Sequence, residues 1–246
     1  VRYVEFEIDI DPVSLTSRIL SVREQIAREW VNDLDILGNA NNNILESYYD
    51  QARTDRDDTD NEDDNDGSDN NVNEANRMAA FVRTSMSVLN DVTEAMTDAS
   101  SPFRKGNFDL LHNLCTQESI HRLLRILMDS DGEKNRLTFT YLRDFYVERV
   151  EEFFDGDQTY GRADDFMEEL LLSSPSVTAK GLTDPLGLAE QIIQTRANVI
   201  TEWKVLMEQV PNDHTMGIRK SLLSKQMQSW GSGGIQQADS TEGGFE

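Results

Sequence analysis

One cysteine, Cys115, stands in a chain of 246 residues. A lone thiol excludes an internal disulfide framework and suits a reducing compartment. No apolar run approaches the ~20 residues that a membrane-spanning helix needs, so the chain reads as soluble, without a transmembrane segment. Cations are also scarce: 23 Lys plus Arg stand against 46 Asp plus Glu, a formal charge of −23. Phosphate backbones and anionic lipids repel such a chain, and it has no sizeable local basic patch. Direct nucleic-acid binding is therefore not expected, and a protein partner with a basic surface is favoured. The chain also lacks a Gly-rich phosphate loop, a G-x-S-x-G elbow and an H-E-x-x-H pair. The best-marked enzyme chemistries have no signal here, and no cofactor is implied.

What is present is a duplication. Residues 11–34 and 184–207 share the pattern D-P-x-x-L-x3-I-x3-R-x5-E-W, carried by Asp11/Asp184, Pro12/Pro185, Leu15/Leu188, Ile19/Ile192, Arg23/Arg196, Glu29/Glu202 and Trp30/Trp203. Average residue usage gives about one or two identities by chance over that length, so two copies of one helical unit are expected. Asp is suited to cap free N–H groups, and Pro fits the first helical position because its N–H would have no partner there. At about 100° per residue, Leu15, Ile19, Val22, Ile26 and Trp30 fall in one narrow stripe, as do Leu188, Ile192, Val199 and Trp203. Both stripes are read as core. The charges border them, and an antiparallel packing of the copies would cross-pair Arg23 with Glu202 and Arg196 with Glu29. The alternative is four solvated rim charges of little energetic weight.

Periodicity assigns the rest. Val4, Phe6, Ile8 and Ile10 alternate with acidic residues as in a half-buried strand, and a run at Val177–Ala179 precedes the second copy in the same way, so the two are read as a short β-ribbon. Residues 1–52 form the strand and first repeat helix, with a break at Asn39–Asn43. Residues 53–75 form an acidic insertion, and Arg53–Asn71 within it has no apolar residue at all, so it is read as disordered. Residues 76–230 form the helical core: a helix from Asn76 to about Asp98, two short helices around Phe108–Cys115 and Ile120–Leu127, a break at Gly132, helices at Leu137–Phe154 and Phe166–Leu172, the second repeat helix ended by Pro211, and a last helix from about His214 to Met227. Residues 231–246 form a loose Gly/Ser-rich tail. The fold class expected is all-α, a helical bundle containing two related amphipathic helices.

Three groups of residues invite chemistry. Glu62, Asp64, Asp66 and Gly67 mimic the start of a calcium loop, but Asn73 at its twelfth position cannot supply the bidentate carboxylate. Asp109-x-x-His112 and Glu118-x-x-His121 place a carboxylate and an imidazole on one helical face, the element of di-iron bundles. The further ligands are missing, so His112, Glu118 and His121 are kept only as the basis of an alternative, metal-binding or enzymatic reading. The loop Tyr160-Gly161-Arg162-Ala163-Asp164-Asp165-Phe166 is read in two ways. Asp164 or Asp165 caps the helix that follows, or the exposed side chains of Arg162, Asp164 and Asp165 form the specific contact with a partner.

The segments SPFRKGNFDLL (Ser101–Leu111), TQESIHRLL (Thr116–Leu124) and FYVERVEEFFDGDQTYGRADDFMEELL (Phe145–Leu171), with the Asp-Pro helix ending in Glu202-Trp203, resemble a plastid-targeted protein family of plants and algae. The resemblance covers about residues 101–227 and rests chiefly on YGRADDF. It implies a location, the chloroplast stroma after removal of a targeting peptide, and Val1 in place of an initiator Met agrees with such processing. It implies no catalytic residue. The combined expectation is a non-enzymatic protein-binding factor of the stroma, serving assembly, biogenesis or plastid gene expression.

Overall fold

The computed structural model describes residues 12–58, 76–80, 82–83, 104–155, 161–175, 177–178 and 181–233. The expected strand at 4–10, residues 59–75 with the calcium-like loop, residues 84–98 of the helix expected from Asn76, and the tail beyond 233 lie outside the described residues.

The fold is all-α. Helix α1 spans Pro12–Asp58, α2 Arg104–Asp129, α3 Glu133–Phe154, α4 Arg162–Leu172 and α5 Pro185–Asp213. A π-helical segment, His214–Arg219, leads into α6, Lys220–Gly233. Between α4 and α5, β1 (Val177–Thr178) pairs antiparallel with β2 (Gly181–Leu182), Val177 opposite Leu182. The run at Val177 therefore forms a local hairpin with its own neighbour. Among the described residues, no helix is long and apolar enough to cross a membrane.

The chain divides into two compact units, residues 32–204 and residues 1–31 with 205–246. In the first, α2, α3 and α4 pack on one another, and their core runs through Ile120, Leu123, Leu142, Phe145, Met167 and Leu170 to Leu188, Ile192 and Ile193 of α5. Phe166 is its aromatic centre, fully buried with ring centroids 5.3 Å from Phe145, 5.9 Å from Phe153 and 5.2 Å from Phe154. Edge and tilted geometries of this kind suit the ring quadrupoles and add about 0.5–1.5 kcal/mol per pair beyond area burial.

Several expected breaks are absent. Helix α1 runs through Asn39–Asn43 because Asn41 is held by tertiary partners instead of closing a turn. It also continues to Asp58, six residues into the acidic run read as disordered. Helix α2 was expected as two pieces divided at the polar Thr116–Ser119. The hydroxyls of Thr116 and Ser119 donate back to the carbonyls of His112 (3.0 Å) and Cys115 (2.6 Å), which meets their polar needs inside one helix. Pro211 does not end α5. The helix passes it for two residues and then widens to π geometry at His214–Arg219. Helix α6 extends six residues beyond its expected end near Met227.

Both aligned segments begin a helix at their proline, Pro12 and Pro185. At the second start, the Asp184 carboxylate lies so close over Gly187 that an added Cβ would come within 2.7 Å of it. The first equivalent, Asp11, lies outside the described residues. Beyond the starts, the two copies differ in burial. Leu188, Ile192 and Val199 are at most 1 % exposed, as expected, whereas Leu15, Ile19 and Val22 are 46 %, 57 % and 56 % exposed. The buried residues of this part of α1 are Leu20 and Ala27 instead. They lie seven residues apart and about 100° around the helix from Ile19 and Ile26. The expected core stripe of the first copy is thus an outward face. Trp30 and Trp203 are both half-buried.

In the terminal unit, Glu24 of α1 binds the π segment. It accepts a hydrogen bond from Arg219 Nη2 at 2.8 Å and lies 3.3 Å from Nδ1 of the buried His214.

Candidate functional site

The most concentrated polar chemistry in residues 32–204 centres on Arg196. Four helices converge there: α1 brings Asn41, α2 brings His112 and Thr116, α4 brings Asp164, and α5 brings the arginine. Arg196 Nε donates to Asn41 Oδ1 at 2.8 Å. Its Nη1 lies 3.1 Å from Asp164 Oδ1, 3.2 Å from Thr116 Oγ1 and 3.0 Å from His112 Nε2. Asn41 Nδ2 in turn donates to the Ile193 carbonyl at 3.0 Å. Every one of these residues is buried.

Such a cluster holds charge without water. Burial pushes the Asp164 carboxyl up, but the charges and hydrogen bonds of His112 and Arg196 outweigh burial and hold it down at about 2. His112 Nε2 is 3.4 Å from Asp164 Oδ1, slightly farther than from Arg196. Whether that nitrogen donates or accepts depends on the tautomer. Next to this cluster, Cys115 is fully buried and its thiol is pushed up to about 12 by burial, against the nearby Arg196 charge. Burial and the raised thiol both disfavour the thiolate, the reactive form of cysteine.

A second buried pair, Arg104 of α2 with Asp33 of α1, is bidentate, Nη1 to Oδ2 and Nη2 to Oδ1. Neither Asn41, Asp33 nor Arg104 was singled out from sequence. For Asn41 a signal existed: Leu34, Leu37, Asn41 and Ile44 lie on one buried helical face, and a polar residue within an apolar run marks a specific partner.

The expected partner-contact residues separate. Asp164 is 1 % exposed and belongs to the buried cluster, so it is no surface contact. Nor does either aspartate cap α4. The N-cap is Gly161, in the left-handed region at φ 85° with no side-chain cap, and its N–H donates to Asp109 Oδ1 at 2.7 Å. The first-turn position of Asp164 points it inward beside Phe166, and Arg196 makes that tolerable. Arg162 and Asp165 do reach the surface, in a cleft of about 550 Å³ between α3 and α4 that Glu168 and Glu169 also line. Arg162 lies over the Phe153 ring at 4.9 Å, and Arg149 lies over Phe145 at 4.0 Å. Burial raises the Asp165 carboxyl, and its neighbours Asp164 and Glu168 raise it further against Arg162.

Three of the four charges of the expected crossed pairing have partners within their own unit. Arg196 is committed to Asp164, Glu202 accepts Arg122 Nη1 at 2.7 Å, and Glu29 accepts Gln25 at 3.1 Å. The metal alternative also loses its constellation. Along α2, His112 turns into the buried cluster, Glu118 binds Arg122 at 2.8 Å, and His121 meets the Tyr146 ring edge-on at 5.4 Å. Among the described residues, no group of three or more His, Cys, Asp or Glu is placed to hold a metal ion.

The terminal unit has a different kind of site. The exposed face of α1 and the facing part of α5 enclose an open groove of about 530 Å³, with Ile19, Val22, Ile26 and Trp30 on one side and Met207 and Val210 on the other. Arg18 and Arg23 stand at its border, both exposed. Compared with family models, with curated proteins and with solved structures, the chain matches none.

Proposed function

We propose that this chain is a non-enzymatic protein-binding factor of the chloroplast stroma, an assembly, biogenesis or plastid gene-expression accessory whose partner presents a basic surface. The stromal placing rests on the likeness of YGRADDF and its flanking segments to plastid-targeted proteins. The partner's charge rests on one observation, the uneven distribution of charge: residues 32–204 contain 16 Lys plus Arg against 35 Asp plus Glu, so −19 of the chain's −23 belongs to that unit. Nine Asp or Glu against one Arg fall within residues 55–69 alone. A field of this sign speeds encounter with a basic partner and repels acidic ones, and it does so less as salt rises. At the surface of the same unit, Arg162, Asp165, Glu168 and Glu169 line the cleft that takes the specific contact.

The test is recovery of partner from stroma on immobilised protein at low and high salt, repeated with Arg162→Ala and with residues 59–71 deleted. Recovery should fall with salt, with the deletion and with the substitution, while the melting temperature holds. Recovery that ignores salt and both changes would end this reading. Metal analysis of the purified protein separates it from the metal-binding alternative.

A further inference from the structure

We infer that the groove of the terminal unit binds an amphipathic helix with acidic flanks, supplied by another protein. This is a second docking surface, with a charge preference opposite to that of the acidic unit, and it stands independently of the partner proposed above.

The groove is apolar where it is deep. Ile19, Val22 and Ile26 of α1 face Met207 and Val210 of α5, and Trp30 closes one end. Large apolar side chains left at more than half exposure in a row, Ile19 and Val22 here, mark an interaction surface and not ordinary solvent contact. Two helices framing an apolar groove suit a third helix laid along it, anchored at i, i+3/i+4 and i+7.

The spacing specifies the partner further. On a 3.5-residue period Ile19 and Ile26 take positions a, and Leu15 and Val22 positions d, which puts Arg18 at g and Arg23 at e. Those two flanking positions decide which helices pair. Neither Arg18 nor Arg23 has a hydrogen-bond or ion-pair partner among the described residues, although the chain as a whole has twice as many acidic as basic groups. The whole unit, residues 1–31 and 205–246, carries seven Lys or Arg against eleven Asp or Glu, a net of −4, so the preference for acidic flanks rests on Arg18 and Arg23 at the groove and not on the unit's total charge. A second copy docked in parallel through the same seam would set Arg18 against the Arg23 of its mate. That juxtaposition disfavours self-pairing, whereas Glu or Asp at the facing positions satisfies both cations.

The experiment uses the purified full chain and labelled helical peptides of about three heptads, with Leu at a and d and Glu at e and g. A matched set has Lys at e and g. Anisotropy is read at physiological ionic strength, where charges beyond about 8 Å are largely screened, and at concentrations where the free peptides are monomeric. The Glu peptides should bind at least about tenfold more tightly than the Lys peptides. Arg18→Glu with Arg23→Glu should reverse that order without moving the melting temperature, since both side chains are exposed. Ile19→Asp should abolish binding of both sets. The inference is overturned by equal binding of the two sets, by no binding of either, or by sedimentation showing a dimer that Ile19→Asp dissociates, which would make a second copy the occupant.

Discussion

Replacing Arg196 by Met keeps an unbranched stem in the core and removes the guanidinium that four helices share. Asp164, 1 % exposed, then loses its arginine, and Asn41 Oδ1 and Thr116 Oγ1 lose their donor. Removing one partner of a buried ion pair costs roughly 3–5 kcal/mol, because the charge that remains has lost its arginine and has no water in exchange; His112, 3.4 Å away, is the group still facing it. For a unit the size of residues 32–204, each kcal/mol lowers the midpoint by about 2–4 °C, so the melting temperature should fall by roughly 6–20 °C. Arg196→Met combined with Asp164→Leu removes both charges and should recover most of the loss. The pH dependence provides a check on the same pair. The folded Asp164 carboxyl is held at about 2 against an ordinary value of 3.8. A folded pKa below the unfolded one gives stability that is full above 3.8 and is lost as pH falls through about 2. That contribution, about 2 kcal/mol, should be present in the parent and absent from the double variant, flattening its acid limb. Urea titrations of the three proteins across that range measure all of this. A single Arg196→Met variant that melts within roughly 2 °C of the parent would refute the reasoning, because no uncompensated buried charge would then have been created.

Gly161→Ala should cost about 1–2 kcal/mol in urea denaturation, since φ 85° is strained for a residue with a Cβ; an unchanged midpoint would show that the turn relaxes freely. Cys115 should resist iodoacetamide in the native protein at mildly alkaline pH and react fully on unfolding, because its thiol is buried and pushed up to about 12; rapid native labelling would contradict the burial. Ile192→Ala should cost about 2–5 kcal/mol and its aligned counterpart Ile19→Ala less than about 0.5 kcal/mol, the first being fully buried and the second exposed; equal losses would return the first stripe to a core.

Helical periodicity was sufficient for the fold class and for most of the element order, because an apolar face repeating at 3.6 residues has few other uses in a chain of this length. Helices α3 and α4 were found near their observed limits, and Gly132, with φ 144°, separates α2 from α3 as expected. The misplaced boundaries share one cause. Asn39–Asn43, Thr116–Ser119 and Pro211 are locally poor helix formers, yet each lies inside a helix, with Asn41 bonded across helices and Thr116 and Ser119 bonded back along α2. Propensity is a weak local term, worth less than about 1 kcal/mol per ordinary residue, and tertiary partners override it. Nothing in a single chain announces that those partners exist.

The functional residues were legible as positions and misread as roles, for the same physical reason. Arg196 and Asp164 were both singled out, one as the border charge of a repeat and the other as a cap or an exposed contact. Only the fold brings α4 and α5 together so that their charges cancel in the core. The repeat shows the point from the other side. Ile19 and Ile192 occupy equivalent places in one pattern, but a hydrophobic stripe specifies only that a surface seeks cover, not what covers it. In the second copy Leu188, Ile192 and Val199 are sealed in the core, and the arginine on that stripe's border turned inward to Asp164. In the first copy the burden of burial passed to Leu20 and Ala27, one position around the helix, and the matching arginine, Arg23, stayed exposed beside the open groove. The same shared apolar pattern thus gives a buried stripe in one place and an exposed one in the other. The difference lies in a few neighbours, the buried Asp164 above all, that the shared pattern does not contain.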